Sequence, residues 1–401
     1  MRLRGGFTAL VIAFASGVTL AACGAGPSGA ASASPGAGAA IAGAASSALA
    51  RARLSGSPAP SPSPSPSPSP SRLPAGGNPA GQAYVPLAGR AVSTSHPDHV
   101  IGTGTPASCT SAAVVKAVAE GGIITFNCGP APVTITMTAT AEVRNTSTRV
   151  VLDGGRMVTL SGGGVRQILY MNTRDPALGG NTADCFTQQW PQLIVQNLTL
   201  KDGNSQVQQS KNADFGGGGG GAIFDLGGQL KVVNSRFINN RCFATGPDLG
   251  GAAIRALSQW QNRPVYITRD TFRGGRCSNG GALSSIGTTW VVLDSIMTGN
   301  KAIGFGANPA SAGTPGGGSG GAIYTDGDTY TVTIAGTVIA RNQAREGGGA
   351  VFYVSNDHTG TLQIEDSSLA GNVSDSFETA GFPGIFFIGQ GQPVVTSSTL
   401  G

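Results

Sequence analysis

Apolar residues in the second half of the chain recur in short alternating runs, each followed by a polar turn. The runs are Leu193-x-Val195-x-Asn197, Leu230-x-Val232-x-Asn234, Val265-x-Ile267-x-Arg269, Trp290-x-Val292-x-Asp294, Val332-x-Ile334-x-Gly336 and Leu362-x-Ile364-x-Asp366. Alternation with period two places Val, Ile and Leu on one face of a strand. After most turns comes an apolar residue with Asn three places on: Phe237 and Asn240, Met297 and Asn300, Ile339 and Asn342, Leu369 and Asn372. The copy at Phe272 carries Gly275 instead, and the copy at Leu200 has Asn204 one residue late. Between these units falls Gly-Gly-Ala-apolar, at Gly220, Gly280, Gly320 and Gly348, with the variant Gly251-Ala252-Ala253-Ile254. The alanines stand at 222, 253, 282, 322 and 350, so the intervals are 31, 29, 40 and 28 residues. The long interval is absorbed by an insertion at Gly304–Ser319.

A period near 30 with two short strands per period predicts a solenoid. One coil cannot bury its apolar face alone, whereas coils stacked at the strand spacing of ~4.8 Å align like residues into interior columns. The expected fold is all-β, a right-handed parallel β-helix. The recurrent Asn positions fit turn ladders whose amides bond to the next coil. The residues after each run (Asn234, Arg269, Asp294, Gly336, Asp366) read as turn formers. Paired glycines fit turns where a side chain would strike a neighbouring coil.

The N-terminal third differs. Met1–Gly6 carries Arg2 and Arg4 without an acid, and an apolar stretch from Phe7 to Ala22 follows, interrupted by Ser16 and Gly17. That pattern predicts a signal peptide over residues 1–22 rather than a membrane span. Leu20-Ala21-Ala22-Cys23-Gly24 resembles the bacterial lipobox, which implies cleavage before Cys23 and a diacylglyceryl group on its thiol. The expected location is outside the cell, anchored to the bacterial membrane by lipid. Residues 23–100 are rich in Ala, Gly, Ser and Pro, with a Ser-Pro repeat from Ser61 to Pro70. Such composition cannot bury enough apolar surface to offset its ordering entropy, and predicts a disordered stalk. His96 and His99 fall in it as solvated linker residues. The folded domain is expected over 101–401.

The Gly-Gly-Ala-Ile and Phe-x-x-Asn motifs resemble the repeats of chlamydial polymorphic membrane proteins. The segment Cys109-Thr110-Ser111-Ala112-Ala113-Val114-Val115-Lys116-Ala117-Val118 through Ile123-Ile124-Thr125-Phe126 is similar to the capping helix and first strand of pectin-lyase-like β-helices. Val151-Leu152-Asp153-Gly154-Gly155 resembles their early turn. The resemblance spans roughly residues 105–390 and implies the fold, while the fold hosts lyases, hydrolases, adhesins and tailspikes. The hydrolases' Asn-Thr-Asp, Asp-Asp and Gly-His-Gly signatures are absent, so no catalytic residue carries over.

Charged residues make up only 11% of the chain, and its formal net charge is +5. Lys and Arg form no cluster along the sequence, which argues against a nucleic-acid partner. Five cysteines follow Cys23, and export to an oxidising compartment permits disulfides. Cys109 with Cys128 and Cys242 with Cys277 are the nearest pairs in sequence, leaving Cys185 over.

Chemistry concentrates in the loops after each Gly-Gly-Ala strand, which supply Asp225; Arg255, Trp260, Asn262 and Arg263; Ser284 and Ser285; Asp326 and Asp328; Asn356, Asp357 and His358. Stacked in register, these line one side of the solenoid. Arg255, Trp260, Arg263, Asp326, Asp328, Asp357 and His358 are the expected binding face, since rings stack on sugar faces and polar groups bond hydroxyls. Asp326, Asp328 and Asp357 are the candidate Ca²⁺ ligands, although no cofactor is required. The expected function is a monomeric, non-catalytic envelope protein binding cell-wall or extracellular polysaccharide or another partner. The competing expectation is a polysaccharide lyase or glycoside hydrolase.

Overall fold

The computed structural model describes residues 72–180, 188–208, 218–247, 249–306 and 314–401. Cys23, the Ser-Pro repeat and Cys185 lie outside the described residues.

The alternating runs form strands, and like strands of successive coils pair in parallel. Three sheets of ten, nine and eight strands run the length of the solenoid, with a four-stranded sheet at one corner. A representative coil passes through Trp290–Leu293 in the ten-stranded sheet, then Ile296–Thr298 in the nine-stranded sheet. It continues through Lys301–Ala302 in the four-stranded sheet and Ile323–Asp326 in the eight-stranded sheet. The result is a parallel β-helix. Register follows the alternation: Val195, Val232, Ile267, Val292, Ile334 and Ile364 are successive partners, all buried. Burying each such side chain stabilises by ~1.5–3 kcal/mol, so the columns supply the main favourable term. Phe237 and Phe272 of the second motif stack with centroids 4.7 Å apart.

Two polar ladders fix the corners. Asn240, Asn300, Asn342 and Asn372 are turned inward, and each accepts from a backbone N–H of the preceding coil at 2.8–3.1 Å. Their amides donate to carbonyls such as Phe272 O and Met297 O. At the corner between the ten- and nine-stranded sheets, Asn234, Arg269, Asp294, Gly336 and Asp366 all have left-handed φ, between 45° and 59°. They are turn formers, as the alternation implied. The next residue in each turn (Ser235, Asp270, Ser295, Thr337, Ser367) accepts a backbone N–H from the coil before.

The N-terminal end is closed by a helix, Ser111–Glu120, capped by Thr110, whose hydroxyl accepts from Ala113 N. Val114, Ala117 and Val118 of this helix join the core, and Cys109 is bonded to Cys128. A second disulfide joins Cys242 and Cys277 on adjacent coils, beside Ala252.

The expected stalk boundary at residue 100 is corrected. Residues 72–98 lie along the solenoid as a strap over the corner between the ten- and nine-stranded sheets. Leu73 donates to Arg156 O, Asn78 to Asp294 O, and Ala83 to the Asp294 carboxylate at 2.9 Å. The strap then returns. Val92 exchanges two hydrogen bonds with the Gln196 amide, Thr94 donates to Asp153, and Ile123 donates to Asp98. The physical reason is close approach: a Cβ on Gly76, Gly77 or Gly81 would run into the backbone or side chains of Ser235, Arg269 and Asp294. Low apolar content was compensated by backbone hydrogen bonding to an existing corner. His99 lies in the first strand, His99–Ile101, with its ring 3.7 Å from Glu120.

Candidate functional site

The corner between the eight- and ten-stranded sheets is built from loops of successive coils. One of them, 258–264, turns through left-handed residues Ser258, Gln261 and Asn262 before entering Val265–Thr268. Trp260 stands half-exposed on it, and the Arg263 guanidinium lies 5.0 Å from its ring centroid. Asn262 accepts from the Thr289 hydroxyl and donates to Thr329 O, both at 3.4 Å. The hydroxyls of Thr331 and Thr361 approach to 3.1 Å, and those of Thr329 and Thr359 to 2.7 Å. Loops contributed by separate coils are thus tied into one ridge.

Asp326, Asp328, Asp357 and His358 lie on this ridge, with Asp328, Asp357 and His358 exposed. Both Asp357 oxygens are engaged by its own surroundings, accepting from Ser355, Thr329 and Thr359 at 2.7–3.1 Å. The Ser355 hydroxyl, then Thr329, holds its carboxyl below the usual range. Asp326 accepts from Gly327 N and from the Asn356 amide. Among the described residues no three His, Cys, Asp or Glu side chains gather to hold a metal. The candidate Ca²⁺ ligands therefore do not form a ligand group: Asp326 and Asp357 are instead bonded to their own turns and to the neighbouring coil.

The rest of the expected face is corrected. Asp225, Arg255, Ser284 and Ser285 are fully buried. They belong to strands rather than loops, at Ile223–Leu226, Ile254–Leu257 and Leu283–Ile286. Asp225 and Ser285 pair in register with Met171 and Ala256 of the core and take their inward direction. Asp225 accepts from Gln259 at 2.7 Å, and burial pushes its carboxyl well above the usual range. Ser285 accepts from the Trp290 indole. Arg255 takes the outward register position of Phe224 and donates to Ser284 at 2.8 Å, packed against Gly219 and Gly250.

Next to the ridge, on the outer face of the ten-stranded sheet, is a groove of about 230 Å³. Its floor is formed by Gln192, Ile194, Gln229, Lys231 and Tyr266, one wall by Arg263 and Pro264, and the other by Ala88 of the strap. Lys231 donates to Arg90 O of the strap at 2.8 Å. Burial, and secondly the neighbouring charge of Arg149, lowers its pKa. The side-chain alternation of the repeat contained a signal for this site. Lys231 and Tyr266 are the middle residues of Leu230-x-Val232 and Val265-x-Ile267, and such positions face outward on stacked strands.

The fold and corner define a β-solenoid with one built lateral ridge and groove. No protein-family model, curated protein or solved structure matches the chain.

Proposed function

We propose that the chain is an exported, lipid-anchored envelope β-helix whose lateral ridge binds saccharide without turning it over. The observation that carries this reading is the continuity of the ridge from the Trp260–Arg263 stack through Asn262 to the threonines of later coils. An aromatic face beside a row of hydroxyls and amides is the chemistry that sugar rings engage. Binding is favoured over catalysis because both oxygens of the ridge carboxylate Asp357 are engaged by Ser355, Thr329 and Thr359, whereas glycoside hydrolysis requires a pair of carboxyl groups free to reach the scissile bond.

Immobilised polysaccharides, neutral and acidic, should retain the full chain, and Trp260→Ala should weaken retention at least tenfold, the effect expected of a central aromatic contact. Retention by no polysaccharide would remove the reading. So would release of product from any polymer, if a single ridge substitution abolished it.

The anchor has its own test. Cys23→Ala should move the protein from the membrane fraction to the medium, since one acylated cysteine carries the chains whose burial contributes ~0.8 kcal/mol per CH₂. Unchanged membrane retention would refute it.

A further inference from the structure

We propose that the groove on the ten-stranded sheet binds an anionic saccharide, a sugar bearing a carboxylate or a phosphate, through Lys231 and Arg263. This rests on the saccharide-binding reading of the adjoining ridge and assigns the ligand class.

The lining contains two cations and no carboxylate. Arg149, on the outer face two coils before Gln229, adds a third positive charge that Lys231 senses. Lys231 is half-buried, and its ammonium group spends one of three donors on Arg90 O, which leaves two for a ligand. A partly desolvated ammonium facing further positive charge is disfavoured, and an arriving anion removes that penalty. Arg263 brings a planar fork suited to carboxylate or phosphate oxygens, and its stacking on Trp260 orders it beforehand. Tyr266 supplies an apolar shelf for a ring face, and the Gln192 and Gln229 amides supply polar groups for hydroxyls. The groove is smaller than a drug-sized pocket, so it takes one sugar unit of a longer chain whose neighbours run onto the ridge.

The strap completes the site. Ala88 and the Arg90 carbonyl come from a segment that the repeat itself does not contain. The groove therefore exists only where the strap is docked. Leu87, beside Ala88, is 81% exposed, and Tyr84, on the same stretch of strap, is 80% exposed.

Calorimetry on the full chain tests this with three probes: a hexuronate oligomer, a phosphodiester-linked polyol glycan and a neutral glucan oligomer. The expected result is binding of at least one acidic probe, ten- to a hundredfold tighter than the neutral one and weakening as salt rises. The two acidic arms distinguish carboxylate from phosphate recognition. Lys231→Gln with Arg263→Gln should lower acidic binding at least tenfold, while Lys116→Gln, exposed on the capping helix, should leave it unchanged. Equal loss with Lys116→Gln would reveal general attraction of polyanions and overturn the assignment, as would tighter binding of a single-stranded oligonucleotide. If the neutral probe binds as well as the acidic ones and only Trp260→Ala abolishes it, the ridge reading stands and the anionic groove falls. If none of the three probes binds, both fall.

Discussion

Gly321→Val is expected to cost about 3 kcal/mol or more and to melt the coils around it, seen as a lower melting temperature and lost amide protection there. A Cβ at this position would collide with the Gly349 carbonyl and lie 2.7 and 2.8 Å from Gln343 backbone atoms of the next coil. Neither obstacle is a side chain that can swing away. The penalty is steric, since Gly321 does not have left-handed φ. The same position one coil earlier behaves alike, where Gly281 faces Gly321 O and the Lys301 backbone. The exception explains the rule: Ala252 is tolerated because the next coil carries Gly275, where an added Cβ would stand 3.1 Å from the Ala252 methyl. A comparison with Gly287→Ala separates sterics from backbone strain. Gly287 has φ 60° with no atom near its missing Cβ, so that variant should cost only ~1 kcal/mol. Because each coil contacts only its neighbours, protection should fade with distance from residue 321 and persist near the capping helix. An unchanged melting temperature for Gly321→Val would contradict the stacking described above.

Asp270→Ser should have the opposite effect and stabilise the protein at pH 7 by about 1–3 kcal/mol, the scale of an unsatisfied buried polar group. Asp270 occupies a ladder otherwise made of Ser235, Ser295, Thr337, Ser367 and Ser398. Each hydroxyl donates to the carbonyl two residues back, as Ser295 does to Leu293 O at 2.9 Å and Thr337 to Ala335 O at 3.0 Å. Asp270 accepts from Ser235 N at 2.6 Å, but its second oxygen is buried without a partner among the described residues. Burial pushes the carboxyl well above its usual range. A carboxyl whose folded pKa is raised binds its proton more tightly in the folded state. Below the unfolded pKa of ~4 both states are protonated, and stability is lost as pH rises from there toward the folded value. The gain from Asp270→Ser should therefore shrink as pH falls from 7 to 4. The Asp225 carboxyl is also raised by burial but is present in both proteins, so the difference between them isolates Asp270. Denaturant melts across that range check the trend. A gain that does not vary with pH, or a loss at pH 7, would show that Asp270 is well accommodated as an ion.

Residues whose role repeats with the coil were legible from the sequence. Val232, Ile267, Val292 and Ile334 needed only alternation, and Asn300, Asn342 and Asn372 needed only a fixed offset from an apolar residue. The cysteine pairs were the nearest in sequence, one at the capping helix and one on adjacent coils, so proximity along the chain matched proximity in space. Roles that depend on direction were harder to read. Arg255 and Asp225 looked like loop residues because they follow the Gly-Gly-Ala motif or its Gly-Ala-Ala variant, yet both are still within the strand and therefore buried.

The sequence by itself determined a parallel β-solenoid, its interior columns, its turn ladders and the corner that carries Trp260, Asp326 and Asp357. These follow from local periodicity, which a stack of equivalent coils converts directly into position. Only the tertiary structure decided that residues 72–98 dock as a strap, and that Lys231 and Arg263 meet with Ala88 around one groove, near the charge of Arg149. The three cations are scattered along the chain and formed no cluster there, while stacking at the strand spacing places their coils side by side. The strap's position depends on backbone groups and missing side chains at Gly76, Gly77 and Gly81, and composition records nothing of where such a segment finds its partners.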